Sequence, residues 1–155
     1  MERDFMIETE FLFGSQPKDK RYDVVSSILE AYAATKPFSF YYPISALVEV
    51  REVMASHKKD AAKRLNALTF IKAKATSFGL KEIELSSNDL ILCEHLLVQH
   101  NSLTVFDGLH ASVALNNKLS IVSNDEIYDE LGLKRLSFKD FVNYLSTSRE
   151  ASSVR

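Results

Sequence analysis

Cysteine occurs once in this chain of 155 residues, and that scarcity excludes several protein classes at once. A single thiol supports neither an internal disulfide framework nor a cysteine-based zinc cluster. Cys93 lies in the apolar run LILCEHLLV, where it reads as a buried helix residue rather than a nucleophile. Glycine and proline are sparse, with 4 and 3 residues, so the chain is neither collagenous nor of low complexity. No segment approaches the roughly 18 uninterrupted apolar residues of a membrane span. The opening MERDFMIETEFLF lacks the basic start and long apolar core of a secretory signal, so a cytoplasmic protein with no membrane partner is expected. A net charge of −2 provides no global basic field to draw in nucleic acid, and local clusters must do so instead.

What is present suits one soluble domain, since 46% of the residues are hydrophobic and 26% charged. Short β-like runs alternate with longer helical periodicity. The density of Phe, Ile and Leu predicts a strand over Phe5 to Phe13, followed by an exposed loop from Gly14 to Lys20. Val24, Val25, Ile28, Leu29 and Tyr32 recur at helical spacing until Lys36-Pro37 ends the run. An aromatic strand from Phe38 to Tyr42 leads into a helix from Pro43 to Ser56, and a further helix runs from Lys58 to Phe78, stopped by Gly79. Leu80 to Leu85 alternates as a strand, and Ser86 to Asp89 offer caps for the helix through LILCEHLLVQ. Thr104 caps the next helix, Leu119 to Val122 is a short buried strand, Gly132 closes a short helix and Ser137 opens the last one through Leu145. Strands separated by such helices imply a parallel sheet covered on both faces.

Two carboxylates within this pattern point to chemistry. Asp107 starts an apolar-periodic helix, and Asp125 stands just after the Leu119 to Val122 strand. Open α/β sheets bind ligands at the carboxyl ends of their strands, where two such acids can face each other across a crevice. A hard cation such as Mg2+ is the expected guest, held by one or two carboxylates plus water. Each acid also has a purely local use. Asp107 follows Thr104 in a capping arrangement, and Asp125 can cap the helix beginning at Glu126. Their order and spacing taken together favour the paired site over two separate caps.

The block DGLHASVALNNKLSIVSNDEIYDELGLKRL resembles the second half of PIN-domain ribonucleases, particularly archaeal members related to VapC toxins. In that family an Asp opens a helix of the form D-x-x-H-A and another ends the following strand in a phrase like VSND; Asp107 and Asp125 match these positions. The family's first strand ends in Asp-Thr-x, where this chain has Ile7-Glu8-Thr9, so Glu8 replaces the family Asp with one added methylene. A phrase like S-x-L-x-E-V is matched from Ser45 to Val50, with Glu49 as its acid. The resemblance implies an α/β, three-layer PIN-like fold: a central parallel sheet of four to five strands flanked by helices, formed by residues 1–146, with 147–155 as a flexible C-terminal tail. It implies hydrolysis of RNA phosphodiester bonds with one or two Mg2+ or Mn2+ ions held by Glu8, Glu49, Asp107 and Asp125. It also implies a homodimer acting as the toxin of a VapBC-type toxin–antitoxin pair, inhibited by a small antitoxin whose segment fills the acidic groove. Glu10 is the alternative to Glu8, because residues two apart on a strand share a face, and Glu52 the alternative to Glu49, because it borders the same helix face.

Crowded carboxylates repel each other, and a divalent ion compensates that repulsion while activating water, so no nucleophilic side chain is needed. Thr9 stands beside Glu8, and Ser123 and Asn124 precede Asp125 closely enough to orient a ligand, water or phosphate. His110 lies three residues after Asp107 on nearly the same helix face, as a phosphate contact, a proton carrier or a packing and hydrogen-bonding residue near the helix start. His95 and His100 lack chelating spacing. Lys18, Lys20 and Arg21 in the loop after the first strand, with Lys59 and Lys63 on the positive helix, are candidate RNA-phosphate contacts; the competing reading is two solvated faces. Phe38, Phe40, Tyr41 and Tyr42 could stack on bases, though a buried strand explains them more simply. Glu8 in place of Asp also motivates a second class, a PIN-like module that binds RNA or protein without cleaving, because a shifted ligand oxygen disturbs a near-octahedral site. A third class, phosphatase or flavodoxin-like receiver, also uses acids at strand ends, but the receiver's pattern of paired acids, phosphorylatable Asp and Lys is not visible.

Overall fold

The computed structural model describes residues 4–153. Along the chain these form β1 (Phe5–Ile7), α1 (Thr9–Gly14), α2 (Tyr22–Thr35), β2 (Phe40–Pro43), α3 (Ile44–Ser56), α4 (Ala61–Ser77), β3 (Lys81–Ile83) and α5 (Ser87–Gln99). Then follow α6 (Val105–Asn116), β4 (Ser120–Val122), α7 (Ile127–Glu130), β5 (Arg135–Leu136) and α8 (Phe138–Ser153). All five strands are parallel, in the order β3-β2-β1-β4-β5. The chain steps outward from β1 through β2 to β3, then returns to build β4 and β5 on the other side. The reversal falls between β1 and β4, where Ile7 pairs with Val122, and such a switch point is where open sheets of this kind leave a crevice.

Side-chain alternation along the strands separates two cores. Phe5 and Ile7 enter a cluster with Phe11, Ile28, Phe40 and Phe141, whereas Met6 enters the opposite cluster with Leu96, Ala111, Ile121 and Tyr128. The expected sheet with helices on both faces is therefore observed. Its first core is aromatic: the Phe5 ring lies 4.8 Å from Phe38 and 5.0 Å from Phe141. Phe38, Phe40 and Tyr42 are buried in it, so packing rather than base stacking occupies them.

Three expectations need correction. The strand predicted over Phe5 to Phe13 ends at Ile7, and Thr9–Gly14 is helical. Glu8 takes extended backbone and accepts the Glu10 N–H at 3.2 Å, so an acidic cap starts a helix inside what reads as one apolar run. The two-residue strand β5 was invisible to the pattern, being too short to alternate. Helix α8 continues past Ser146, where a loose tail was expected, as far as Ser153. The remainder of that tail, 154–155, and residues 1–3 of the opening lie outside the described residues.

Elsewhere the local signals match. Gly79 has a left-handed φ of 86° and closes α4 through Gly79 N–H to Thr76 and Leu80 N–H to Ala75. Ser86 and Asp89 form a reciprocal capping box on α5. Among the described residues no helix is long and apolar enough to cross a membrane.

Candidate active site

Glu8 leaves the end of β1 at the switch point and is only 7% exposed. One carboxylate oxygen caps α1, while the other, Oε1, is buried with no hydrogen-bond partner among the described residues. Burial above all, with the charges of Glu10, Glu49 and Asp107 adding to it, raises the carboxyl from its ordinary 4.5 to about 8 despite the Glu10 N–H. Glu10 goes elsewhere: its carboxylate meets Arg21 at 3.2 Å. The helical start thus separates two acids that a strand would have placed on one face.

Glu49 projects from the second turn of α3 into a hydrogen-bonded chain. The Thr9 hydroxyl donates to its Oε2, and His110 Nε2 lies 2.8 Å from the same oxygen. His110 is fully buried; its Nε2 also lies 3.0 Å from Thr9 Oγ1, and its Nδ1 lies 2.8 Å from Ser45 Oγ. An ionised Glu49 only accepts, so the imidazole presents Nε2–H to it and takes the Ser45 proton at Nδ1. Burial pushes Glu49 upward, but the His110 and Thr9 hydrogen bonds outweigh it and hold the carboxyl below its usual range. His110 is therefore occupied in orienting Glu49. Glu52 is exposed and paired with Arg51 outside this chain.

Asp107 sits in the first turn of α6 with Thr104 as the cap residue. Thr104 Oγ1 donates to its Oδ2 at 2.6 Å and accepts the Asp107 N–H at 3.2 Å. Gly108 beside it lets α6 press against α5, since a Cβ there would stand 2.8 Å from Cys93 Sγ. Asp125 follows β4; its N–H donates to the buried Ser123 Oγ at 3.0 Å and its Oδ1 accepts the Ile127 N–H at 3.0 Å. Asp107 thus takes the helix-start position anticipated for it, whereas the helix expected from Glu126 begins at Ile127 with Glu126 as its N-cap, and Asp125, just before it, accepts the Ile127 N–H. Asn124 is committed differently, because its Oδ1 caps α8 by accepting the Phe138 N–H at 3.0 Å. That leaves its amide nitrogen for the supporting role expected beside Asp125.

Tyr128 unites the four acids, and sequence reasoning missed it. Its side chain is fully buried, its hydroxyl lies 3.4 Å from Asp107 Oδ1, and the charges of Glu8, Asp107, Glu49 and Asp125 all act on it. Burial first, and those charges next, push the phenol far above its ordinary range. The available signal was proximity in sequence: Tyr128 lies three residues after Asp125, in the short helix that follows it.

The donor set is made of hard carboxylate and hydroxyl oxygens, which suits Mg2+ or Mn2+. The partnerless Glu8 Oε1 is a buried acceptor of the kind such an ion satisfies. Among the described residues no three Asp, Glu, His or Cys side chains are already gathered at ligand distance, so the fit is one of chemistry and placement.

Of the candidate phosphate contacts, Lys18, Lys20, Lys59 and Lys63 are exposed. Lys63 lies 4.0 Å from Asp60, a loose surface pair. Arg21 is corrected: Asp19 grips it at 2.8 Å and Glu10 at 3.2 Å, so the guanidinium braces the α1–α2 turn instead of standing free.

No protein-family profile and no curated protein matches the sequence. Solved structures do match its fold, which is the PIN-like fold of VapC-type toxins. VapBC2 from Rickettsia felis, bound to a promoter DNA fragment, aligns at a TM-score of 0.65 with 19% identity over 86% of this chain and 98% of that one. VapC20 from Mycobacterium tuberculosis, a sarcin–ricin loop cleaving toxin, aligns at 0.63 with 14% identity over 83% and 95%. FitAcB from Neisseria gonorrhoeae aligns at 0.62 with 13% identity over 86% and 97%.

Proposed function

We propose that this chain is a metal-dependent endoribonuclease that hydrolyses RNA phosphodiester bonds, acting as the toxin of a VapBC-type pair. The observation that carries this reading is the placement of Glu8, Glu49, Asp107 and Asp125 around Tyr128 at the sheet's switch point. Those four acids would hold one or two Mg2+ or Mn2+ ions. A bound divalent ion supplies acidified water and charge stabilisation at the phosphoryl oxygens. The chain's own residues prepare the site. His110, Thr9 and Ser45 keep Glu49 ionised and oriented; Thr104 and Tyr128 hold Asp107; Ser123 fixes the turn carrying Asp125. Lys18, Lys20, Lys59 and Lys63 supply the positive rim that an RNA backbone requires.

The likeness to VapBC and FitAB assemblies supports a small antitoxin partner whose segment fills the acidic cleft. The exposed apolar face of α5 supports a homodimer. One observation favours a second reading, an RNA- or protein-binding module that cleaves nothing: Glu8 is longer than aspartate and protonated at neutral pH when no cation compensates its burial. An RNA-cleavage assay with Mn2+ or with EDTA, comparing the chain with Asp107→Asn, decides between them. Loss of at least a hundredfold in rate, on the order seen when one charge-stabilising group is removed from an active site, is expected from the substitution, and EDTA should abolish cleavage. Equal degradation by both proteins rejects the nuclease.

A further inference from the structure

A groove of about 500 Å3 opens between α1 and α3, floored by Phe13, Val53 and Met54 and rimmed by Lys18, His57 and Lys59. The same two helices carry Thr9 and Glu49. Phe13 lies four residues after Thr9 and Val53 four after Glu49, about 6 Å further along each helix. The groove is therefore the next rung beyond the Thr9–Glu49 hydrogen bond and continues the acidic cleft.

Its chemistry alternates. Phe13, Val53 and Met54 are half-buried apolar side chains, while Lys18 and Lys59 are exposed and make no ion pair among the described residues. The single acid in the lining, Asp19, is neutralised by the Arg21 guanidinium at 2.8 Å. The backbone places Lys59. Lys58 takes a left-handed φ of 57°, and hydrogen bonds from Lys58 N–H to Ala55 and from Lys59 N–H to Met54 fold the chain back over the last turn of α3.

We propose that this groove seats one nucleotide of a single-stranded RNA beside the bond to be cut, with the base on Phe13, Val53 and Met54 and the phosphate facing Lys18 and Lys59. The inference takes its substrate from the nuclease reading and adds the site that selects a base. Flat bases alternating with anionic phosphates match an aromatic and apolar floor between cations. An amphipathic peptide helix would use the floor but leave both lysines without a role.

The test is fluorescence anisotropy with labelled single-stranded oligoribonucleotides, each carrying one abasic position, bound to the Asp107→Asn chain so that the RNA stays intact. One abasic position should weaken binding about tenfold. Adding Met54→Ala should abolish that penalty. Lys18→Ala and Lys59→Ala, at exposed positions that do not burden folding, should each lower the slope of log affinity against log salt by about 0.7. A penalty and slope untouched by all three substitutions overturn the subsite and leave the groove to a peptide; absence of RNA binding overturns it as well. Cleavage by the unsubstituted chain, measured in parallel, keeps the two ideas apart. Groove-dependent binding of RNA that is never cut retains the subsite and rejects the nuclease, whereas cut RNA bound without the groove does the reverse.

Discussion

Glu8 is under electrostatic tension, because it is nearly sealed from water, close to other acids and short of one hydrogen-bond partner among the described residues. Its folded carboxyl titrates near 8 against an ordinary 4.5. A raised acid binds its proton more tightly in the fold than in the unfolded chain, so its contribution to stability is complete below about pH 4.5 and is lost as pH rises toward 8. Urea denaturation in EDTA should therefore show stability falling by a few kcal/mol across that window. Glu8→Gln, neutral at every pH, should flatten the slope, and Mg2+ or Mn2+ should restore stability at the alkaline end by compensating the ionised carboxylate. An equal slope in Glu8→Gln would falsify this assignment. At this scale the candidate acids could be nominated from sequence, since Glu8, Glu49, Asp107 and Asp125 stood in recognisable phrases. Tyr128 and the partnership of His110 with Ser45 were not, because burial and long-range contact leave no local mark: His110 reaches Ser45 across 65 positions.

Helix ends explain both what could be read of the elements and what could not. Gly79 and Gly132 have left-handed φ values of 86° and 76°, and each marks a stop that glycine announces in the sequence. Lys36, Lys58 and Lys118 adopt the same conformation at 43°, 57° and 56° without any such sign. After α6, Lys118 N–H meets Leu115 and Leu119 N–H meets Ala114, the same pair of closing bonds that Gly79 makes after α4. A side chain with Cβ in that region costs roughly 1–2 kcal/mol, partly offset by the greater freedom glycine has when unfolded. Lys58→Gly and Lys118→Gly are each expected to stabilise the chain by about 0.5–1 kcal/mol in urea denaturation; a loss of stability in both would contradict the left-handed geometry. The other misreading, α1 taken as strand, has a related origin. Six residues, TEFLFG, are too few for helical and strand periods to differ, and the Glu8 cap that decides the matter is itself a candidate site residue.

At the scale of the whole molecule, α5 leaves an apolar face uncovered. On α5, Leu90, Ile91 and Val98 are 51%, 58% and 80% exposed, with Glu94 and His95 between them. Apolar side chains gathered so openly on one face mark an association surface rather than the scattered exposure common to soluble proteins. The pattern is also self-complementary. Laid antiparallel on a two-fold copy about an axis between Glu94 and His95, α5 sets Ile91 against Val98 of the second copy and Glu94 against His95. A parallel sheet covered on both faces could be anticipated from chain pattern, but this face could not, because a periodic apolar helix looks the same in sequence whether one of its sides or two are covered. Sedimentation equilibrium should give twice the 17.5 kDa chain mass, and Ile91→Glu should return a monomer, since it buries an unpaired charge against Val98 of the second copy. Circular dichroism should be unchanged in that variant because Ile91 makes no core contribution at 58% exposure. A wild-type chain that sediments as a monomer, or a dimer indifferent to Ile91→Glu, would place the association elsewhere and leave α5 free for a different partner.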